Sequence, residues 1–241
     1  MKRLISQLLC GLVFICGGFT SLAQAGTFSI SPLRATLSAG KKVSSLTVIN
    51  QGQEPTTVQL EVMSWSQTAD GQDELVLTKD ILANPPIFTL PPRGKQVIRV
   101  GLRKPPSANA EATYRLILRE TPPPLKPNFT GLNFALRLSV PIFVLPQGTV
   151  QPKTSWQLKQ GSDGLLKLIA ENTGTAHIQV INFSLQPTAL EKIPTQLVYS
   201  YLLPNQKREW VIKNTNLAVG TKVHLSAETD VEPIEADLVV Q

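Results

Sequence analysis

The sequence predicts an all-β fold made of two sandwich domains that follow a secretory signal. Short runs rich in β-branched and aromatic residues alternate with turn residues along most of the chain, which is typical of β-sandwiches. No window of 11 or more residues has the 3.6-residue apolar period of an amphipathic helix, so we expect few helices. The strand pattern starts again after Pro146-Gln147-Gly148, which favours a domain boundary at that point.

The first 25 residues have the three parts of a secretory signal. Lys2 and Arg3 precede an apolar stretch from Leu8 to Phe19, and Ala23-Gln24-Ala25 supplies the small residues that a signal peptidase reads. We therefore expect residues 1–25 to be removed on export. The apolar stretch is too short to span a bilayer comfortably, and no later segment approaches the required run of about 20 apolar residues. Stable membrane insertion is not expected.

Both cysteines, Cys10 and Cys16, lie inside this signal. The mature chain of 216 residues would contain no thiol and no disulfide, so two hydrophobic cores would have to stabilise it. Without Lys2 and Arg3, 21 basic residues remain against 17 acidic ones, which gives a net charge of +4. Because no run of lysine or arginine is present, we do not expect the protein to bind nucleic acid.

We place the first domain at 26–146 and the second at 147–241. Each domain contains a strand that ends in an Asn-x-Gly turn, Asn50-Gln51-Gly52 and Asn172-Thr173-Gly174, which weakly indicates two sandwiches of related design. The predicted strands are 42–50, 57–65, 74–78, 95–102, 113–120 and 132–145 in the first domain, and 165–170, 177–185, 196–203, 209–213, 222–227 and 236–240 in the second.

The run from Leu132 to Val140 gives the strongest functional signal. Its apolar residues alternate and would share one face of an extended strand. Prolines lie on both sides of the run, and because proline cannot donate to a sheet ladder, they favour an edge strand. Most alternating strands bury such a face in their own core, which is the other interpretation of this run. The residues of this face are Leu132, Phe134, Leu136, Leu138 and Val140.

The chain has few groups that could catalyse a reaction. Its only histidines, His177 and His224, lie in strand-like runs, where an isolated histidine is most often a surface or cross-strand residue. The sequence has no Gly-x-Ser-x-Gly elbow, no His-Glu-x-x-His motif and no glycine-rich phosphate loop. A metal site would have to combine the two distant histidines with carboxylates. We therefore predict no enzymatic activity, no cofactor and no metal.

Four segments occur in a recognisable order after the signal. They include Ser31-Pro32-Leu33-Arg34-Ala35, the arginine-containing strand at 114–121 and the alternating strand that ends at Pro146. This ordered set resembles the PapD-like periplasmic chaperones of the chaperone–usher pilus pathway. The likeness is strong over the first domain and weaker over the second. The four segments are 31–35, 81–100, 114–123 and 134–146.

The resemblance implies two immunoglobulin-like domains in a boomerang arrangement, a periplasmic location, and pilus subunits and an outer-membrane usher as partners. In that family the seventh strand of the chaperone fills a groove in a subunit that lacks its own last strand. Here the implied donor residues are Leu132, Phe134, Leu136 and Leu138, with Val140 as a fifth. Their apolar face should point outward in the free protein, where self-association or a loop over 122–131 would shield it.

Physical chemistry agrees with this implied role. Main-chain bonds along a strand edge give adhesion that does not depend on sequence, and alternate side chains give fit, which is the mode called β-augmentation. Burial of four such apolar side chains is worth roughly 6–12 kcal/mol before the cost of ordering. That free energy suffices for tight holding without ATP.

The sequence departs from the family at two positions. Known members hold a subunit's terminal carboxylate with an arginine in the first strand and a lysine in the seventh. Arg34 matches the arginine, but Pro141 stands where the lysine is expected, and Leu145 replaces an interdomain arginine. The resemblance is therefore to the archaic or alternative branch. Arg99 and Arg137 are the candidate second cations, since arginine can hold a carboxylate with two parallel bonds.

A secreted two-domain adhesin or sugar-binding module is the alternative function. Sugar sites usually use exposed aromatic rings, and the mature chain has only Trp65, Trp156 and Trp210, each in or beside a strand-like run. Clustered, exposed tryptophans would favour this alternative. A pilus subunit is disfavoured because the chain predicts two complete sandwiches and no donor extension before the first strand.

Overall fold

The computed structural model describes residues 28–68, 71–121, 134–161, 164–188, 190–213, 215 and 217–241. Over these residues the secondary structure consists of β-strands without an α-helix, which confirms the all-β prediction. The predicted signal, Leu132 and the predicted shielding loop at 122–131 lie outside the described residues. The strands are β1 (Phe28–Ser31), β2 (Ala35–Leu37), β3 (Val43–Asn50), β4 (Thr56–Gln67), β5 (Asp73–Leu77), β6 (Ile81–Asn84), β7 (Ile87–Leu90), β8 (Lys95–Leu102), β9 (Ala112–Thr121), β10 (Arg137–Val144), β11 (Thr154–Gln160), β12 (Leu166–Asn172), β13 (Ile178–Pro187), β14 (Ile193–Leu202), β15 (Lys207–Ile212), β16 (Lys222–Thr229) and β17 (Ile234–Val239).

Strands β1 to β10 form the first sandwich. One sheet, which we call the β8 sheet, has the order β1-β3-β8-β6, and the other, the β10 sheet, has the order β2-β10-β9-β4-β5 with β7 also beside β4. The pair of β2 with β10 is parallel and the other pairs are antiparallel. The core between the sheets includes Leu37, Leu46, Ile98, Leu116 and Leu118, which are fully buried.

Strands β11 to β17 form the second sandwich. Its sheets have the orders β11-β12-β15 and β14-β13-β16-β17, and every pair is antiparallel. Apolar residues at every second position of β12 and β16 point inward, as the period of a strand requires. They meet Leu158, Phe183 and Leu185 in one core.

The two Asn-x-Gly turns are built in the same way. Asn50 and Asn172 are buried, and the Oδ1 atom of each accepts the N–H of the glycine two residues later, at 2.8 Å for Gly52 and 2.9 Å for Gly174. The Nδ2 atom of each donates to main-chain carbonyls across the end of the sandwich. Each asparagine thus satisfies backbone groups that would otherwise be buried without a partner.

A third buried cluster joins the two domains. Trp65 and Phe143 of the first domain pack against Leu203 and the half-buried Tyr201 of the second. Gln67 supports this contact from both ends of its amide, because its Nε2 donates to the Tyr201 carbonyl at 2.9 Å and its Oε1 accepts the Leu203 N–H at 3.1 Å. The domains therefore meet through a packed and hydrogen-bonded joint.

His224 gives the second domain a pH-dependent stability. Its Nδ1 lies 2.7 Å from Asp237 Oδ1 and its Nε2 lies 2.9 Å from Glu235 Oε2, both on the neighbouring strand β17. The hydrogen bond to Asp237, reinforced by Glu235, raises the pKa of His224. Because the folded pKa lies above the unfolded one, the stabilisation is complete below the unfolded pKa and is lost as pH rises through the folded pKa.

We expect the unfolding midpoint of the wild type to fall more steeply than that of His224→Gln between about pH 5.5 and about pH 8. Thermal unfolding followed by circular dichroism at several pH values measures this difference. Parallel pH profiles of the two proteins would show that the contact does not stabilise the fold.

Candidate functional site

Strand β10 has two halves with different neighbours. Its carboxyl half, residues 142–144, lies between β9 and β2, whereas residues 137–141 pair with β9 only. No described strand pairs with the other side of this amino half. The edge position that the flanking prolines predicted is therefore found in the first half of the strand, while the second half is central.

The direction of the backbone groups on this open edge follows from two hydrogen bonds. The Leu136 carbonyl accepts the Glu120 N–H at 2.9 Å on the β9 side, and the Leu145 N–H donates to the Leu37 carbonyl at 2.9 Å on the β2 side. Alternate residues of a strand point their N–H and C=O groups to opposite edges. Arg137 and Ser139 therefore direct their ladder groups to the open edge, and Pro141 faces the same side at the level where β2 begins.

Pro141 suits this position because its missing N–H would have pointed to the open edge and not to β9. The β9 ladder loses no hydrogen bond, which is the condition under which proline is tolerated in a strand. The N–H groups and the carbonyls of Arg137 and Ser139 remain for another chain to pair with.

The apolar residues of β10 become more buried along the strand. Phe134, just before β10, is 64% exposed, Leu136 and Leu138 are partly buried against the core of the first domain, and Val140 is 3% exposed within that core. The expectation that this whole face points outward is wrong. The alternating sequence pattern places these side chains on one face of the strand, and that face lies over the interior of the sandwich. It is open to solvent only near its amino end, at Phe134.

The three candidate anchor arginines lie on different elements. Arg34, between β1 and β2, places its Nη1 atom 3.1 Å from Oδ2 of Asp230 in the second domain. Arg99 is exposed on the outer face of the β8 sheet, between two buried neighbours on β8. Arg137 begins β10 opposite Arg119. The structure thus pairs Arg34 with a carboxylate of its own chain.

Arg34 lines a cleft of about 450 Å³ between the two domains. Phe143 and Leu145 form its apolar wall on the first domain, and His177 and Asp230 lie on the second. His177 was expected at the surface or across a strand pair, but its ring stacks on Phe143 with centroids 3.5 Å apart and planes at 6°. The stacked rings of Phe143 and His177 therefore join the two domains beside the cleft that Leu145 also lines.

Arg115 is a cation of this region that the sequence did not single out as an anchor. It lies across the β9–β10 ladder from Pro141, with its guanidinium carbon 3.6 Å above the Trp65 ring and 5.3 Å from the Tyr201 ring. The pKa of Tyr201 is raised, chiefly because its phenol is buried. The charge of Asp230 raises this pKa as well, whereas the charges of Arg115 and Arg34 lower it. Both arginines therefore act on the same phenol at the domain joint.

The acidic residues that organise this region also escaped the sequence analysis. Asp230 is 196 residues from Arg34, and Glu111 lies 66 residues from the His177 side chain that it contacts. Glu120 accepts the Leu136 N–H with its carboxylate at 2.9 Å and so holds the residue that precedes β10. No local motif marks such residues, because each is defined by a partner distant in sequence.

The tryptophans do not form the exposed cluster that would favour a sugar-binding module. Trp65 is 3% exposed at the domain joint. Trp156 stacks on Trp210 with ring centroids 6.0 Å apart, and both pack against the core of the second domain.

In the described part of the chain, no group of three or more His, Cys, Asp or Glu residues is placed to hold a metal ion. The described part also contains no helix long and apolar enough to cross a membrane.

Comparison with known proteins identifies the family. A family model described as the pili and flagellar-assembly chaperone, PapD N-terminal domain, matches residues 27–150. The chain belongs to this family of assembly chaperones. The recognition made from the ordered segments is thereby confirmed. A comparison with curated protein sequences gives no match.

Solved structures match nearly the whole chaperone. The CsuC–CsuE chaperone–subunit complex of archaic Csu pili from Acinetobacter baumannii matches with a TM-score of 0.67 at 19% identity, covering 89% of this chain and 99% of that one. The complex of SafA pilin with the SafB chaperone from Salmonella enterica matches with a TM-score of 0.61 at 18% identity, covering 89% and 97%. The YadV chaperone matches with a TM-score of 0.63 at 20% identity, covering 88% and 99%. These likenesses confirm the two-domain chaperone fold.

Proposed function

We propose that this chaperone holds pilus subunits by lending them the open edge of β10. The open edge at residues 137–141 carries this proposal, because it joins unpaired ladder groups to an adjacent apolar face. An incoming strand would take main-chain bonds from Arg137 and Ser139 and side-chain contacts from the same segment. That combination is the arrangement on which β-augmentation depends.

Phe134, Leu136 and Leu138 are the described side chains that we propose for the subunit groove. Leu132 belongs to the same proposal but lies outside the described residues. Val140 is left out because its side chain fills the chaperone's own core. Burial of three apolar side chains supplies at most roughly 5–9 kcal/mol, and less here because Leu136 and Leu138 are already partly covered.

We further propose that the chain is exported by its signal, works in the periplasm without catalysis, ATP or a cofactor, and delivers subunits to an outer-membrane usher. The signal-like residues 1–25 and the family membership support the location and the role. The open strand edge needs no chemical step to bind or release a partner, since one strand can replace another in the same ladder.

For the subunit's terminal carboxylate we propose Arg34 with Arg115 as the two cations. Both act electrostatically on Tyr201 and lie close to the level at which the open edge of β10 ends, and Arg115 would have to share its charge with Asp73, 3.7 Å away. Arg99 lies on the outer face of the other sheet, and Arg137 is about 13 Å along the strand from Pro141. Distance therefore favours Arg115 over the two cations expected from the sequence.

Arg34→Ala is expected to weaken subunit binding about 10- to 150-fold, because a hydrogen bond to a charged group is worth about 1.5–3 kcal/mol. Titration calorimetry at moderate salt measures the affinity. Arg99→Ala is the matched control and should bind like the wild type. Unchanged binding by Arg34→Ala, or an equal loss in Arg99→Ala, would remove Arg34 from the anchor.

Co-expression in a bacterial periplasm with a pilus subunit encoded beside this protein tests the function itself. We expect a one-to-one complex after purification, identified by native mass spectrometry, and degradation of the subunit when it is expressed alone. If the neighbouring subunits remain stable alone and none co-purifies, the chaperone proposal fails.

A further inference from the structure

Strand β5 forms a second open edge of the β10 sheet. It pairs with β4 through residues 73–77, and within the described residues no strand pairs with its other side. The Thr78 N–H donates to the Val62 carbonyl of β4 at 3.1 Å. Since alternate residues of a strand point their ladder groups to opposite edges, the even-numbered residues of β5 face β4 and the odd-numbered ones face outward. The outward residues are Asp73, Leu75 and Leu77.

The centre of β5 is apolar and uncovered. Leu75, Val76 and Leu77 are 36%, 64% and 69% exposed, and as successive residues of a strand they point to both faces of the sheet. Proteins usually protect an exposed strand edge from pairing with a charge, a proline or a bulge. These three residues carry no charge and no proline, and their ladder with β4 is regular. The segment therefore offers both the main-chain groups and the side chains that another strand needs.

The charges at the two ends of β5 are complementary. Asp73 and Glu74 begin the strand, and Lys79 follows its last residue by two positions. Two antiparallel copies of such a segment place the acidic end of each beside the basic end of the other. Asp73 already accepts a bond from Gln67 at 3.0 Å and lies 3.7 Å from Arg115, but its side chain is 41% exposed and a carboxylate can accept about four hydrogen bonds. The partner whose charge fits this edge is therefore a second copy of the chain.

We propose that β5 pairs with β5 of a second copy of this chain, antiparallel and with Val76 opposite Val76, to form a symmetric dimer. In this register Leu75 lies opposite Leu77 of the second copy. Because both residues direct their ladder groups outward, each such pair exchanges two hydrogen bonds. The same surface is used by both copies, as a two-fold axis requires.

The side chains of β5 favour this register over its neighbours. It brings Lys79 of each copy to the level of Asp73 of the other. A shift by two residues, which keeps the hydrogen bonds in phase, would place Glu74 opposite Val76 in one direction and Lys79 opposite Leu75 in the other. The proposed register matches apolar residues with apolar residues and an acid with a base.

The dimer goes beyond the proposed function and is compatible with it. In the strand order β2-β10-β9-β4-β5, β5 lies at one edge of the sheet and the open half of β10 faces the other. Pairing through β5 therefore leaves the edge at 137–141 free, and each copy can hold one subunit. Because an edge of five residues buries little surface, the association is weak and the dimer forms mainly at high concentration.

Sedimentation velocity of the mature chain at concentrations up to about 1 mM measures this association. We expect a monomer–dimer equilibrium, with stronger amide protection of Leu75 and Leu77 as the concentration rises. Val76→Lys places two lysines opposite each other on the symmetry axis and should weaken dimerisation about tenfold or more. Leu82→Lys, at an exposed site on β6, is the matched control and should dimerise like the wild type.

Lys79→Glu tests the charge complementarity separately. It places acidic groups together at both ends of the paired strands and should weaken dimerisation about 2- to 30-fold, as expected for the loss of two surface ion pairs. Lys41→Glu makes the same change of charge between β2 and β3 and should leave dimerisation unchanged.

A chain that remains monomeric at about 1 mM, or a dimer that Val76→Lys does not weaken, overturns this pairing. A dimer that is lost in Phe134→Asp but kept in Val76→Lys would assign self-association to the open edge of β10 and would overturn it as well. None of these results bears on the capture of subunits, which the co-expression experiment decides.

Discussion

Phe134→Asp is expected to abolish the capture of pilus subunits while the chaperone remains folded. Phe134 is 64% exposed before β10, so aspartate there disturbs little in the free protein. In the complex, that side chain would have to enter an apolar groove, and burial of an uncompensated carboxylate costs several kcal/mol in addition to the lost apolar contact. Subunit pull-down measures capture, and urea unfolding measures stability.

Leu82→Asp is a suitable control for this experiment. Leu82 is 54% exposed on β6, in the sheet that does not contain β10. It should retain full capture. If Phe134→Asp captures subunits as well as this control does, Phe134 is not part of the donor segment. Leu136→Asp is a less clean test, because Leu136 packs against the domain core and its replacement should also lower stability.

Phe143→Ala is expected to lower the free energy of unfolding by about 3–5 kcal/mol, the usual cost of emptying a fully buried phenylalanine site. Phe143 is 1% exposed and its ring contacts Trp65, His177 and Tyr201, so the cavity would open in the joint between the domains. The cleft that holds Arg34 should loosen as well. Denaturant unfolding gives the stability, and the affinity for a subunit gives the effect on the cleft.

Leu197→Ala provides the comparison for Phe143→Ala. Leu197 is 68% exposed on β14 of the second domain, so its truncation should change stability by less than about 0.5 kcal/mol. Equal effects of the two substitutions would show that the aromatic contacts of Phe143 do not hold the joint together.

The fold was largely predictable because strands and turns are encoded locally. The predicted strands at 57–65, 95–102 and 113–120 correspond to β4, β8 and β9, and the shared construction of the turns at Asn50 and Asn172 bears out a weak sequence signal. The strands β6, β7 and β11 were missed. β6 and β7 have four residues each, which is too few for a period to be recognised, and β11 is mainly polar.

The site was less predictable because alternation does not say which face of a strand is covered. The pattern placed Leu136, Leu138 and Val140 on one face, and they do share a face, but only the fold shows that it lies over the domain core. Pro141 signalled an edge without indicating which residues would be free.

The charged contacts of the cleft could not be inferred from the chain at all. The Arg34–Asp230 and Glu111–His177 pairs join different domains, and Arg115 comes near the level of Pro141 only through the register of β9 with β10. Pairs of this kind depend on how two sandwiches dock, and no period or motif within one strand records that.

Amide hydrogen exchange of the chaperone, alone and bound to a subunit, tests strand donation most directly. The N–H groups of Arg137 and Ser139 should exchange rapidly in the free protein and become strongly protected in the complex, since they would then donate to the subunit's strand. Other open edges, such as β5, should not change. If Arg137 and Ser139 still exchange rapidly in a stable complex while another edge becomes protected, β10 is not the strand that this chaperone lends.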